Sequence, residues 1–432
     1  MRKIFFVFSL LFVSITSEAQ YDDDMDADTL MGIIDTSIIN KYKFIHYAHN
    51  KFYFPSEESP NFEYFYSKFD SLINRRKGQV VVYHMGGSHI QADVYSNKMR
   101  TWMNSYWPGL KGARGLVFPY TIAGTNNPYN YKSEGTGEWT SLRCVQRKDT
   151  SRLGIEGISI SCKDTISSIK IYYREKEPMP YRHDRFRIYH NMNPSFMVEF
   201  GYPSIVKSVT KDSLRGFTEF NLSMEFDTAF FVITRVKSDT SSFTCYGVEM
   251  MNKQPGVIYN SIGVNGAALP NYLRCQDWEM QLKNLPPDLF ILSVGTNDAN
   301  VPDGEFDTLA YFRNYEEITK KILRANPNCA ILYTVPNDAY YYKKHPNRNV
   351  ALTRNVIIDL SKKYNMGFWD VYGMMGGLGS SNTWYKADLM HKDRIHFTWD
   401  GYLLKGDLFF EAFLKYLDEY EYKRLVKLTN EK

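Results

Sequence analysis

The sequence predicts an α/β fold: a parallel sheet covered by helices on both faces, interrupted midway by an all-β sandwich. Three observations carry this expectation. Strand-length apolar runs alternate with helix-period runs over residues 51–137 and again over 256–432. Between them, over 138–255, short β-rich runs recur with turn signals at a spacing of about ten residues, and no helix-length pattern intervenes. Several strand-like runs of the outer segments end in glycine-containing loops, the place where open α/β sheets put their ligands.

The elements follow in order. Met1-Arg2-Lys3, an apolar run from Ile4 to Val13 and the small-residue stop Ser17-Glu18-Ala19 form the pattern of a secretory signal peptide over residues 1–19. The run is too short to span a membrane, and no cysteine follows it to carry a lipid. Residues 20–50 open on Tyr21-Asp22-Asp23-Asp24-Met25-Asp26 and are expected to form an acidic, mobile leader. Phe62, Phe65, Phe69 and Leu72 mark one face of a helix. Val80-Val81-Val82-Tyr83 reads as a buried strand running into Gly86-Gly87 and Ser88. Tyr95, Met99, Trp102 and Tyr106 mark a helix over Ile90–Trp107. Ser88 thus falls between a strand end and a helix N-terminus, where free N–H groups favour developing negative charge. Lys111–Gly115 and Ala123–Pro128 read as loops.

The all-β segment carries strand-like runs such as Ile166–Tyr173, Phe217–Leu222 and Ala229–Val236. Beyond Pro255, strands are expected at Val257–Ile262, Asp288–Val294, Ala330–Val335 and Gly367–Val371. They alternate with helices at Tyr272–Leu282, Tyr311–Ala325, Val350–Tyr364 and Gly401–Lys423.

Composition narrows the function. The 432 residues are 44% hydrophobic and 23% charged, as in a soluble globular protein of one large domain or two. The net charge of +4 arises from 52 basic and 48 acidic residues that are interspersed, so no basic block points to nucleic acid. Five cysteines match no zinc pattern; one local disulfide among Cys144, Cys162 and Cys245 is the pairing the spacing permits. Aromatics reach 16%, which suits core filling and, as the sharper reading, contact with sugar faces.

Four short motifs sit at the strand ends of the α/β part: Gly86-Gly87-Ser88, Gly263-Val264-Asn265-Gly266, Gly295-Thr296-Asn297-Asp298, and Asp393-Arg394-Ile395-His396 followed by Gly401-Tyr402. Each alone is ordinary loop punctuation. His84, His89 and His391 read as packing or loop histidines, and Gly376–Ser381 as a loop beside the last motif.

In this order the four motifs resemble the blocks of the SGNH (GDSL-type) hydrolases. The resemblance covers roughly residues 60–130 and 256–425 and implies a flavodoxin-like three-layer SGNH-hydrolase domain, discontinuous over 51–137 and 256–432. It implies Ser88 as nucleophile, His396 as base and Asp393 as the acid that orients it. It further implies an oxyanion hole from Ser88, Gly266 and Asn297, with no cofactor and no metal. One position departs: Gly87 stands where the family has an aspartate. The β insert between the first and second blocks resembles that of Gram-negative peptidoglycan O-acetylesterases, which implies a carbohydrate-binding insert over 138–255. The resulting expectation is a periplasmic or secreted serine esterase that removes O-acetyl groups from a glycan, peptidoglycan or another acetylated polysaccharide. Its partner is the acetylated glycan, with no nucleic acid and no membrane span. An O-acetyltransferase and a non-catalytic glycan-binding module are the alternatives.

Overall fold

The computed structural model of the chain describes residues 33–147, 149 and 151–430. The run read as a signal peptide and the start of the leader lie outside them. The expected mobile leader does not extend over residues 33–50. Asp35 caps the short helix Thr36–Lys41, Ile34, Tyr42, Ile45 and Tyr47 are buried, and the His46 N–H donates to the Met374 carbonyl at 2.9 Å.

The central sheet has six strands: β1 (Phe52–Tyr53), β2 (Gln79–Gly86), β3 (Gly256–Gly263), β4 (Leu289–Ser293), β5 (Ala330–Val335) and β6 (Gly367–Asp370). Their order is β1-β6-β5-β4-β2-β3. All neighbours are parallel except the short edge pair β1–β6. Strands buried on both faces explain the continuous apolar runs at Val80 and Leu289. On one face, Phe409 of the last helix, Trp399–Asn430, packs on His84 and Trp369. On the other, Trp278 packs on Phe290, which stacks on Tyr83. Much of the aromatic content therefore fills the three-layer core. Among the described residues no helix is long and apolar enough to cross a membrane.

The insert consists of two antiparallel sheets. Phe186, Phe220 and Phe243 of the seven-stranded sheet pack against Phe196, Phe200 and Phe231 of the four-stranded one, so the sheets face each other as a sandwich. Two of these strands come from before residue 138. Gly115–Val117 pairs with Phe243–Met251, and Tyr131–Glu134 pairs with Ile166–Tyr173. The first begins inside an expected loop; three residues are too few to show a period of two.

Two expected helices are broken. Ile90–Trp107 is realised as Ser88–Gln91 and Tyr95–Ser105, separated by Asp93 in a left-handed conformation (φ 50°). Tyr272–Leu282 is realised as Leu269–Leu273 and Trp278–Asn284, and the Asp277 N–H between them donates to Leu153 of the insert. All five cysteines are buried and free, so the permitted disulfide does not form. The strand register sets Cys162 opposite Phe243 and Cys245 opposite Ile160.

Candidate active site

The parallel register brings three loops together. Gly86 lies opposite Gly263 on one side and Ser293 on the other, so β2, β3 and β4 end side by side. Ser88, Gly266 and Asn297 follow these ends within a few residues. Gly86 must be glycine: a Cβ there would lie 2.3 Å from Ile90 Cγ1 and 3.0 Å from the Ser293 carbonyl. That clearance lets the chain turn directly into the helix that starts at Ser88.

Asp393 and His396 arrive from the turn before the last helix. Ser88 Oγ is 2.8 Å from His396 Nε2, and His396 Nδ1 is 2.8 Å from Asp393 Oδ2. The other Asp393 oxygen accepts the backbone N–H groups of Ile395 and His396 at 2.9 and 3.1 Å. Burial opposes ionisation of this carboxyl, but the His396 ring and the two N–H groups outweigh it and hold the acid well below the usual carboxylate range. A fixed negative charge beside Nδ1 keeps the proton there and leaves Nε2 free to accept one from Ser88.

Gly266 (φ 79°) takes the left-handed conformation at the tip of the loop after β3. The Asn297 side-chain amide donates to the Ala267 carbonyl at 2.9 Å. A Cβ on Gly87 would stand 3.1 Å from that same amide nitrogen, so glycine here lets the backbone before Ser88 approach Asn297 closely. All five residues singled out from the sequence line one cleft of about 760 Å³.

Several residues that build the site carry no motif signal. Gln91, on the helix that Ser88 begins, donates to the Asn126 carbonyl at 2.8 Å and accepts the Asn265 N–H at 2.7 Å. It thereby ties two rim loops to the helix that Ser88 begins. Asp298 accepts the Leu269 N–H at 3.0 Å and joins the loops after β3 and β4. His84 is buried and lies 2.7 Å from both the Tyr259 hydroxyl and Ser293 Oγ. His89 stacks obliquely on His396, with ring centres 5.1 Å apart, and its Nδ1 lies 2.8 Å from the Tyr402 hydroxyl. Burial and the Lys405 charge hold His89 well below the usual histidine range, so the imidazole behind His396 stays neutral. His391 lines the cleft. Gly376–Gly379 is a turn between two short helices, the second of which begins at Ser380, and Asp338 anchors the N–H and hydroxyl of Ser381.

No curated protein matches the chain. Among solved structures, a peptidoglycan O-acetylesterase is similar over 82% of this chain and 95% of its own, with 18% identity and a TM-score of 0.64. An acetyl xylan esterase is similar over 36% and 80%, with 19% identity and a TM-score of 0.29. A lipase/acylhydrolase from Enterococcus faecalis is similar over 35% and 73%, with 20% identity and a TM-score of 0.29. Residues 246–404 match the model of the GDSL-like Lipase/Acylhydrolase family. The α/β part of this chain accordingly shares its fold with that peptidoglycan O-acetylesterase, and residues 246–404 are similar in sequence to the GDSL-like Lipase/Acylhydrolase family.

Proposed function

We propose that the protein is an exported serine esterase that hydrolyses O-acetyl esters on a glycan through an acyl-serine intermediate. The observation that carries this reading is the unbroken relay Ser88–His396–Asp393, with both side-chain contacts at 2.8 Å and the serine open to a cleft. Ser88 Oγ attacks the ester carbonyl as His396 Nε2 takes its proton. The oxyanion is met by the N–H groups of Ser88 and Gly266 and by the second amide hydrogen of Asn297. His396 returns the proton to the departing sugar hydroxyl. It then draws one from water, which attacks the acyl-serine and releases acetate. Asp393 stabilises the imidazolium at both stages.

Export is supported by the signal-peptide pattern over residues 1–19. The fold shared with a peptidoglycan O-acetylesterase makes O-acetylated peptidoglycan the first polymer to test. The decisive measurement is acetate release from a panel of acetylated glycans with no sugar acceptor added. Wild type should release acetate, and Ser88→Ala should lower kcat by about 10⁴ or more while circular dichroism stays unchanged. Activity surviving in Ser88→Ala removes the nucleophile assignment. Turnover that requires a sugar acceptor makes the protein a transferase instead.

A further inference from the structure

Trp399 is the one exposed residue among the seven tryptophans, with 47% of its surface open. It opens the last helix, three residues after His396. An indole left in water forgoes a large burial gain, so its exposure asks for a reason. The indole is also held in place. Tyr129 meets it edge-to-face, with ring centres 4.7 Å apart at 85°. Tyr129 is itself fixed by the Asn97 amide, which donates to its hydroxyl at 2.9 Å, and it lines the same cleft as Ser88 and His396. Tyr129 thus lines the cleft, and Trp399 stands beside it, packed edge-to-face on that lining ring.

The remaining lining says what those rings meet. Apart from the histidines, Asp393 is the one acid or base of ordinary charge in the lining among the described residues, and the relay already uses it; no described lysine, arginine or glutamate lines the cleft. Nothing there would recognise a phosphate or a carboxylate. Long aliphatic side chains are few, so an extended acyl chain would find little apolar wall. Asn126, Asn127 and Asn265 instead bring neutral donors and acceptors to the rim. A ligand that is uncharged, rich in hydroxyls and apolar on one face fits this combination: a pyranose ring.

We propose that Trp399, braced by Tyr129, is a stacking platform for a neutral sugar ring of the acetylated glycan, and that it sets the preference for glycan-borne over small acetyl esters. The inference rests on the esterase reading above and names the ring that reading leaves unassigned. The platform binds substrate away from the reacting bond, so its effect falls on KM for the polymer.

The test compares kcat/KM for an O-acetylated glycan with kcat/KM for 4-nitrophenyl acetate, using wild type, Trp399→Ala and Trp399→Phe. Because the ratio is taken within one preparation, it is insensitive to the fraction of enzyme that is folded. Trp399→Ala should lower the ratio by about five- to tenfold, mostly through KM on the glycan, and Trp399→Phe should recover most of it. A ratio in Trp399→Ala equal to wild type overturns the platform and leaves the esterase reading standing. Wild type that cleaves 4-nitrophenyl acetate but releases acetate from no glycan overturns the glycan reading and the platform with it.

Discussion

Asp298 shows how a residue beside the candidate site can carry a pH dependence of its own. Burial pushes its carboxyl up to about 7, although the Leu269 N–H donated to it works the other way. Between the ordinary aspartate value and 7, the folded chain therefore holds a proton that the unfolded chain has lost. The stability this group contributes is complete below about pH 4 and is lost as pH rises through 7. Asn replaces the protonated acid in shape and cannot ionise. Asp298→Asn should leave the melting temperature near wild type at pH 4 and raise it by at least ~2 °C at pH 8, read by thermal unfolding at both values. A variant that is equally destabilised at the two pH values would show that the carboxyl is needed in its charged form.

At this scale, legibility divides by how a residue acts. Ser88, Gly266, Asn297, Asp393 and His396 stand in short motifs at strand ends, so their types and order are readable in the sequence; the cleft brings all five together. Gln91, Asp298 and His89 act through partners that are remote in sequence, such as Asn265, Leu269 and Tyr402. A glutamine inside a helical run carries no mark that it will join two loops. Gly87 falls between these cases. Its departure from the family's aspartate was visible, but only its closeness to Asn297 shows what glycine permits there.

Among the elements, those with a strong period were legible and those ended by a tertiary contact were not. Phe62, Phe65, Phe69 and Leu72 lie buried on the helix Pro60–Arg75, as their spacing requires. The break at Asp93 has no such local signature. Its carboxylate meets Arg100 at 3.0 Å and Arg114 at 3.0 Å, and it accepts from Ser96 and Asn130; both guanidinium groups are buried. Burial opposes ionisation, but the two arginines outweigh it and hold Asp93 well below the usual carboxylate range. The group thus ties the helix Tyr95–Ser105 to the segment that leads into the sandwich. Removing it leaves two buried cations without their carboxylate. Asp93→Ala should cost about 3–5 kcal/mol in urea unfolding, far more than a surface ion pair would. A loss below about 1 kcal/mol would mean that solvent reaches these arginines in the folded chain.

For the whole molecule, the question is whether the sandwich and the three-layer part behave as one body. A chain of this length ordinarily unfolds in stages. Here the contacts argue otherwise. The buried apolar residues of both parts form one continuous cluster. The Leu116 N–H, on the strand that joins the seven-stranded sheet, donates to Asn260 Oδ1 of β3 at 2.7 Å. Tyr120 donates to the Gly263 carbonyl at 3.2 Å, and the Ile155 N–H donates to Gln281 at 2.7 Å. Arg152 pairs with Asp277 at the break between two helices of the α/β part. Two of these links end on β3, next to β2, which leads into Ser88, so loosening the sandwich should loosen the loops of the candidate site with it. Phe220 tests this, because it is buried between the two sheets of the sandwich and lies on neither side of the cleft. Phe220→Ala should remove about 3–5 kcal/mol of packing. Loss of esterase activity and loss of the far-ultraviolet signal should then shift together to lower urea, in a single transition for both variant and wild type. Two transitions, with activity persisting after the first, would make the sandwich a separately folding appendage and the links to β3 incidental.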